Sequence, residues 1–345
     1  MRLVPGKGSR WFESSSAPED PSGGCTLRLA LAGNSKERPF RFGLQLTGAD
    51  SREAWIEKAR RAESLGYSVV TIVDHMGDQL APIPALAAIA MSTASIRIGT
   101  MVLANDWRNP LLVAREAATL DWLSDGRLEL GIGAGWLTTD YEQLGIPYDR
   151  PGVRVERMAE ALKLIRDLLS GEQITHSGPH YRLTNASCFP RPVQKPHPPL
   201  VVGGGSRRLL TFAGQLADVV NVHTNLGAEH VVGDQSKADI TAETTGRRFG
   251  WVKAGAGSRL QQIELGLRIF AVSVTDRRES AGAELGRRWS LGSSELLESP
   301  YALIGSLDQI TEELVKRRHE FGATYFTWNE PEMERMAPVV RRLVA

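Results

Sequence analysis

Asp74 and His75 stand side by side at the end of an apolar, β-branched run, SVVTIVD followed by His. An imidazole titrates near neutral pH. A neighbouring carboxylate can set its tautomer and support its charged form, which suits a general acid or base. The same pair could instead cap the next helix. A second cluster, Gly203-Gly204-Gly205-Ser206-Arg207-Arg208, follows an apolar stretch and opens a helical one. Glycines let backbone N–H groups approach an anion, a helix N-terminus favours negative charge, and Ser206 and Arg207 add donors. That suits one phosphate. The spacing is neither G-x-x-x-x-G-K-S/T nor G-x-G-x-x-G, so neither a Walker site nor a Rossmann dinucleotide site is supported. Gly131-Ile-Gly-Ala-Gly135 is also glycine-rich at the wrong spacing. Tight strand–helix packing is the plain alternative for both clusters.

Other chemistries lack their residues. There is no H-E-x-x-H, no cysteine pair at metal spacing and no clustered carboxylate set, so no metal site is expected. His176, His180 and His197 fall in one loop-rich stretch and read as solvated. G-x-S-x-G is absent, which leaves an α/β-hydrolase unsupported. Two cysteines, Cys25 and Cys188, make no disulfide framework. The 41 Lys+Arg against 40 Asp+Glu give a net charge of +1, which argues against a nucleic-acid partner. No apolar run approaches the ~18 residues of a membrane helix. A cytoplasmic enzyme is expected.

These residues need a scaffold. Residues 1–38 are punctuated by Pro, Gly and Ser without any period, and read as a flexible N-terminal extension. From residue 39 short apolar strands alternate with amphipathic helices. Strands are expected at 41–46, 68–74, 96–103, 128–132, 200–202, 219–222, 265–274 and 324–328. Helices are expected at 83–93, 111–123, 153–169, 207–216 and 307–321. Another helix, opened by Asp50 with Glu53 as a capping box, would bury Trp55, Ala59 and Ala62 and stop at Gly66. Eight βα units in 345 residues predict a (β/α)8 TIM barrel over 39–345, with an open doubly wound sheet as the runner-up. Residues 171–198 and 224–262 are too long for ordinary βα loops and read as covers over a site.

A barrel puts its chemistry at the carboxyl ends of its strands. That selects Asp74-His75, Ala104-Asn105-Asp106-Trp107-Arg108, Gly133-Ala134-Gly135-Trp136, Gly203 to Ser206, Asn221, His223, and Thr327-Trp328. Trp107, Trp136 and Trp328 could line an apolar substrate pocket or pack in the core.

The string IRIGTMVLANDWRNPLLVAREAATLDWLSDGRLELGIGAGWLTTDYEQLGIPYDRPGVRVERMAEALKLI (96–165) resembles the bacterial luciferase-like superfamily. So do SLGYSVVTIVDH (64–75), PHPPLVVGGGSRR (196–208) and LIGSLDQITEEL (303–314). The resemblance covers 39–345 and is strongest to actinobacterial F420-dependent oxidoreductases. It implies a luciferase-like barrel holding a deazaflavin (F420), or alternatively a flavin (FMN), across the carboxyl ends of the strands. It implies His75 as the residue handling a proton at the reacting ring, oriented by Asp74. A non-proline cis peptide between Met101 and Val102 would back the ring. Ala104, Asn105, Gly133, Ala134, Gly135, Trp136 and Thr139 would line the cofactor, and Val202, Gly203, Gly204, Gly205, Ser206 and Arg207 would take its phosphate.

One departure bears on substrate. Sugar-phosphate dehydrogenases of the superfamily carry an acidic Glu where Trp136 stands, and a Trp in the segment occupied here by residues 76–80. Glucose-6-phosphate is therefore not expected as substrate. The resemblance favours reduction of an activated C=C or C=N bond of a small molecule or peptide, as in natural-product tailoring, by a homodimer. An FMN-dependent monooxygenase and a non-catalytic F420-binding protein are the alternatives.

Overall fold

The computed structural model describes residues 38–224 and 238–344. The reading of the first 37 residues as a flexible extension lies outside them. Residues from Pro39 onward form one unit. Eight parallel strands follow one another around it: β1 Arg41–Leu46, β2 Val69–Ile72, β3 Arg97–Thr100, β4 Leu128–Gly133, β5 Leu200–Gly204, β6 Val219–Val222, β7 Glu264–Arg268 and β8 Tyr325–Asn329. β8 pairs back onto β1, with Phe42 opposite Phe326, so the sheet closes. This is the expected (β/α)8 barrel rather than an open sheet. β2 and β6 are buried at every position, as continuous apolar runs covered on both faces require.

Two expected strands are interrupted. The run 96–103 breaks at the Met101–Val102 peptide, which is cis, and pairing resumes as Leu103–Ala104 against β4. The run 265–274 ends its barrel pairing at Arg268. Ala271–Val274 then pairs with Ala302–Gly305 in a separate two-stranded parallel sheet, with helices Arg278–Arg288 and Ser293–Leu297 between them. Apolar alternation cannot distinguish one long strand from two that belong to different sheets. The segment 171–198 carries an antiparallel pair, Ile174–Ser177 with Arg182–Ala186. The segment 224–262 is not a cover throughout. Ala242–Ala256 is the helix between β6 and β7, and residues 225–237 lie outside the described residues.

The first helix, Arg52–Ser64, is capped by Ser51 and not by Asp50, since Ser51 Oγ accepts the Ala54 N–H at 3.1 Å. It buries Trp55, Ala59 and Ala62 as expected, and Gly66 follows at φ +88°. The Ser306–Gln309 capping box forms in both directions at the start of Leu307–Phe321.

Apolar packing occurs in two layers. The outer layer fills the space between strands and helices. The inner one is a plug of Val69, Val201, Val219 and Tyr325, against which Met101 packs. Below the plug, Arg41 bridges Glu129 and Glu264, and Arg97 bonds Glu129 at 2.6 Å. Burial pulls the Arg41 pKa down, but the two carboxylates outweigh it, so the net direction is upward. The barrel is thus sealed at its foot, and the space above Met101 is left for a ligand.

Strand alternation corrects two expectations. On β8, Thr327 faces inward and accepts from Asn221 Nδ2 at 3.3 Å, so Trp328 faces outward. Trp328 is fully buried against Phe42 and Tyr67 in the outer layer and does not line the cavity at the carboxyl ends of the strands. On β5, Val201 and Gly203 face inward, and Val202 is buried in the outer layer instead of reaching a ligand.

Candidate active site

A cavity of about 480 Å³ opens at the carboxyl ends of the strands. Asp74, His75, Met101, Val102, Ala104, Trp107, Gly133, Ala134, Gly135, Trp136 and Gly203 to Ser206 all line it. Residues read from distant parts of the sequence therefore meet around one space. Four residues expected at the cofactor do not line it. Asn105 is buried and donates to Tyr181 Oη at 3.0 Å, which ties the loop after β3 to the 171–198 hairpin. Thr139 and Arg207 are exposed on the first turns of their helices. Val202 faces outward, as above.

The proton-handling pair is assembled differently from the expectation. Asp74 does not orient His75. Its buried carboxylate accepts the Ala104 N–H at 2.9 Å and takes Arg108 Nη2 at 2.8 Å. Consecutive residues leaving a strand point to opposite sides, so Asp74 reaches across to the β3 loop while His75 turns into the cavity. The carboxylate on His75 is Asp140, from helix Thr138–Leu144. Its Oδ2 lies 2.7 Å from His75 Nδ1, and its Oδ1 accepts the Met76 N–H at 2.9 Å. Asp140 thus engages the Nδ1 edge of the imidazole. Trp136 meets the imidazole edge-on, with ring centroids 5.6 Å apart. Gln79 donates to the carbonyls of Val73 and His75, fixing the backbone on either side of Asp74.

The glycines divide by function. A Cβ on Gly131 would lie 2.0 Å from Thr100 O, and one on Gly133 would lie 2.4 Å from Val102 Cγ2. Both make room for the bend at 101–102. A Cβ on Gly203 meets nothing closer than 3.7 Å and would project between Val102 and His223. Gly203 therefore keeps the cavity open rather than relieving a clash. Ser206 caps helix Arg207–Leu216, so the N-terminal end of that helix meets the glycine turn.

Sequence reasoning missed several lining residues: Gln45, Thr47, Gln79, Asp140, Arg268 and Phe270. His223 and Asn221 were selected only as strand ends. Burial pushes His223 down to about 4, so it is neutral at physiological pH, and its Nδ1–H donates to Thr224 O at 2.6 Å. Burial likewise pulls Arg268 down to about 10, which leaves it protonated. Among the described residues no group of His, Cys, Asp and Glu could hold a metal ion, and no helix is long and apolar enough to cross a membrane.

The family model for luciferase-like monooxygenases matches residues 38–341. The chain belongs to that family. Proteins similar to this chain divide over the cofactor in their names. An F420-dependent glucose-6-phosphate dehydrogenase of Amycolatopsis mediterranei is 32% identical over 171 residues, covering 47% of this chain and 51% of that protein. An FMNH2-dependent dimethylsulfone monooxygenase of Pseudomonas putida is 24% identical over 198 residues, covering 57% of this chain and 50% of that protein. The chain thus spans about half the length of each of these two relatives. The F420-dependent tetrahydromethanopterin reductase of Methanopyrus kandleri superposes with a TM-score of 0.71 at 18% identity, covering 89% of this chain and 99% of that one. The two chains share the barrel fold.

Proposed function

We propose that this luciferase-like protein is an F420-dependent oxidoreductase, moving hydride between a deazaflavin and an organic substrate. The observation that carries the reading is His75, held by Asp140 and facing a cavity walled by the Met101–Val102 bend and Gly133. Gly203 supports the fit, because a side chain there would project into the space a flat ring needs. Bound, the deazaflavin would supply the hydride. His75 would give or take the accompanying proton through Nε2, and Asp140 would hold the ring in place. Met101 and Val102 would support one face of the cofactor. The turn from Gly203 to Ser206, at a helix N-terminus, would bind its phosphate.

Trp136 in place of an acid, with Trp107 and Phe270 elsewhere in the lining, gives the cavity an apolar part. This favours reduction of an activated C=C or C=N bond of a small-molecule or peptide substrate over sugar-phosphate oxidation. A role in natural-product biosynthesis and a homodimeric assembly are part of the same reading. The test is titration of the purified apoprotein with F420 and with FMN. Deazaflavin binding with His75→Ala inactive but still cofactor-loaded is the expected result. Tight FMN binding without deazaflavin binding would overturn it in favour of the FMN-dependent monooxygenase. Deazaflavin binding without turnover in the intact chain would favour a carrier.

A further inference from the structure

Arg268 ends β7 with its guanidinium in the cavity wall, and it is only 8% exposed. Buried guanidinium groups are ordinarily met by carboxylates. Arg268 has none within ion-pair distance among the described residues. Its Nη2 donates to the neutral amide Oδ1 of Asn329, Phe270 lies under its plane at 5.7 Å, and Nη1 has no hydrogen-bond partner among the described residues. On the adjacent strand Asn221 also lines the cavity, and its Oδ1 is likewise buried without a hydrogen-bond partner among the described residues. Gly266, two residues before Arg268 on the same face of β7, is in register with Asn221. An unmet donor with a full charge and an unmet acceptor thus stand together on one wall.

The strand order gives that wall its meaning. In a closed barrel of eight strands in chain order, β7 lies opposite β3. The Met101–Val102 bend ends β3, so Arg268 faces the proposed cofactor wall across the cavity. It is placed to meet what the cofactor reacts with.

We propose that Arg268 binds an anionic group of the substrate, a carboxylate or a phosphoryl oxygen, and that Asn221 Oδ1 accepts an N–H or O–H next to that group. The substrate class is then an organic anion with an apolar body, the body lying against Trp107, Trp136 and Phe270. This rests on the reading of the cavity as the site of hydride transfer.

The full chain, loaded with F420, is titrated with sodium acetate and separately with inorganic phosphate, by calorimetry. One of the two anions is expected to bind the wild-type protein. Its affinity should fall at least about tenfold in Arg268→Gln, with F420 affinity changing less than about twofold. Binding of acetate alone assigns a carboxylate, and binding of phosphate alone assigns a phosphoryl group. Asn329→Ala, which removes the amide from Nη2, should bind the same anion at least as tightly as wild type. This second variant keeps the test open if Arg268→Gln does not fold. Equal anion affinity in wild type and Arg268→Gln would overturn the proposal, as would no anion binding to wild type below ~20 mM, or weaker binding in Asn329→Ala. If F420 itself fails to bind, the cofactor reading falls, and the same titrations on the unloaded chain still decide the role of Arg268.

Discussion

Asp140 Oδ2 sits 2.7 Å from His75 Nδ1, and Oδ1 of the same carboxylate accepts the Met76 N–H at 2.9 Å. One buried side chain thus holds both the ring and the backbone that carries it. Asp140→Ala is expected to lower kcat by about 10²-fold, within the range of general acid–base effects, and to leave cofactor affinity nearly unchanged. The two losses should not add in Asp140→Ala/His75→Ala, because both variants remove one unit. Steady-state rates beside cofactor titrations check this.

Asp74→Ala should act on stability first. It strips Ala104 N–H and Arg108 of their shared acceptor, so a loss of about 2–3 kcal/mol is expected by denaturant unfolding. If His75 depended on Asp74, activity would fall with no change in unfolding midpoint, which is the opposite pattern.

Gly131→Ala and Gly203→Ala should separate folding from binding. The first drives a methyl into Thr100 O and should cost about 2–3 kcal/mol of stability, as overpacking does. The second makes only ordinary contacts, so its melting temperature should hold while cofactor affinity falls about tenfold. Thermal unfolding with and without cofactor distinguishes them.

His223 predicts an acid-side loss of stability. Its folded pKa of about 4 lies below its ordinary 6.5, chiefly through burial, so protonation favours the unfolded chain. Its contribution is complete above about 6.5 and is lost as pH falls from there towards about 4. Arg248 and Arg268 add to the depression, and Asp239 and the Thr224 carbonyl oppose it. His223→Gln should flatten the melting temperature against pH across that window.

The barrel was legible because burial on both faces leaves continuous apolar runs, and the cavity residues were largely legible because a barrel places them at strand ends. Direction of a side chain was harder to read. Trp328 and Val202 sit beside inward residues, and a one-residue offset sends them to the opposite face. Asp140 was invisible beside Asp74, since a hydrogen bond across 65 positions leaves no spacing to read. Arg268 was hidden within the run 265–274, expected as one strand.

Arg41, set between Glu129 and Glu264 below the Val69–Val201–Val219–Tyr325 plug, makes the cavity a dead end. On the proposed reading, deazaflavin and substrate then share the mouth at the carboxyl ends of the strands, and each must enter and leave through it.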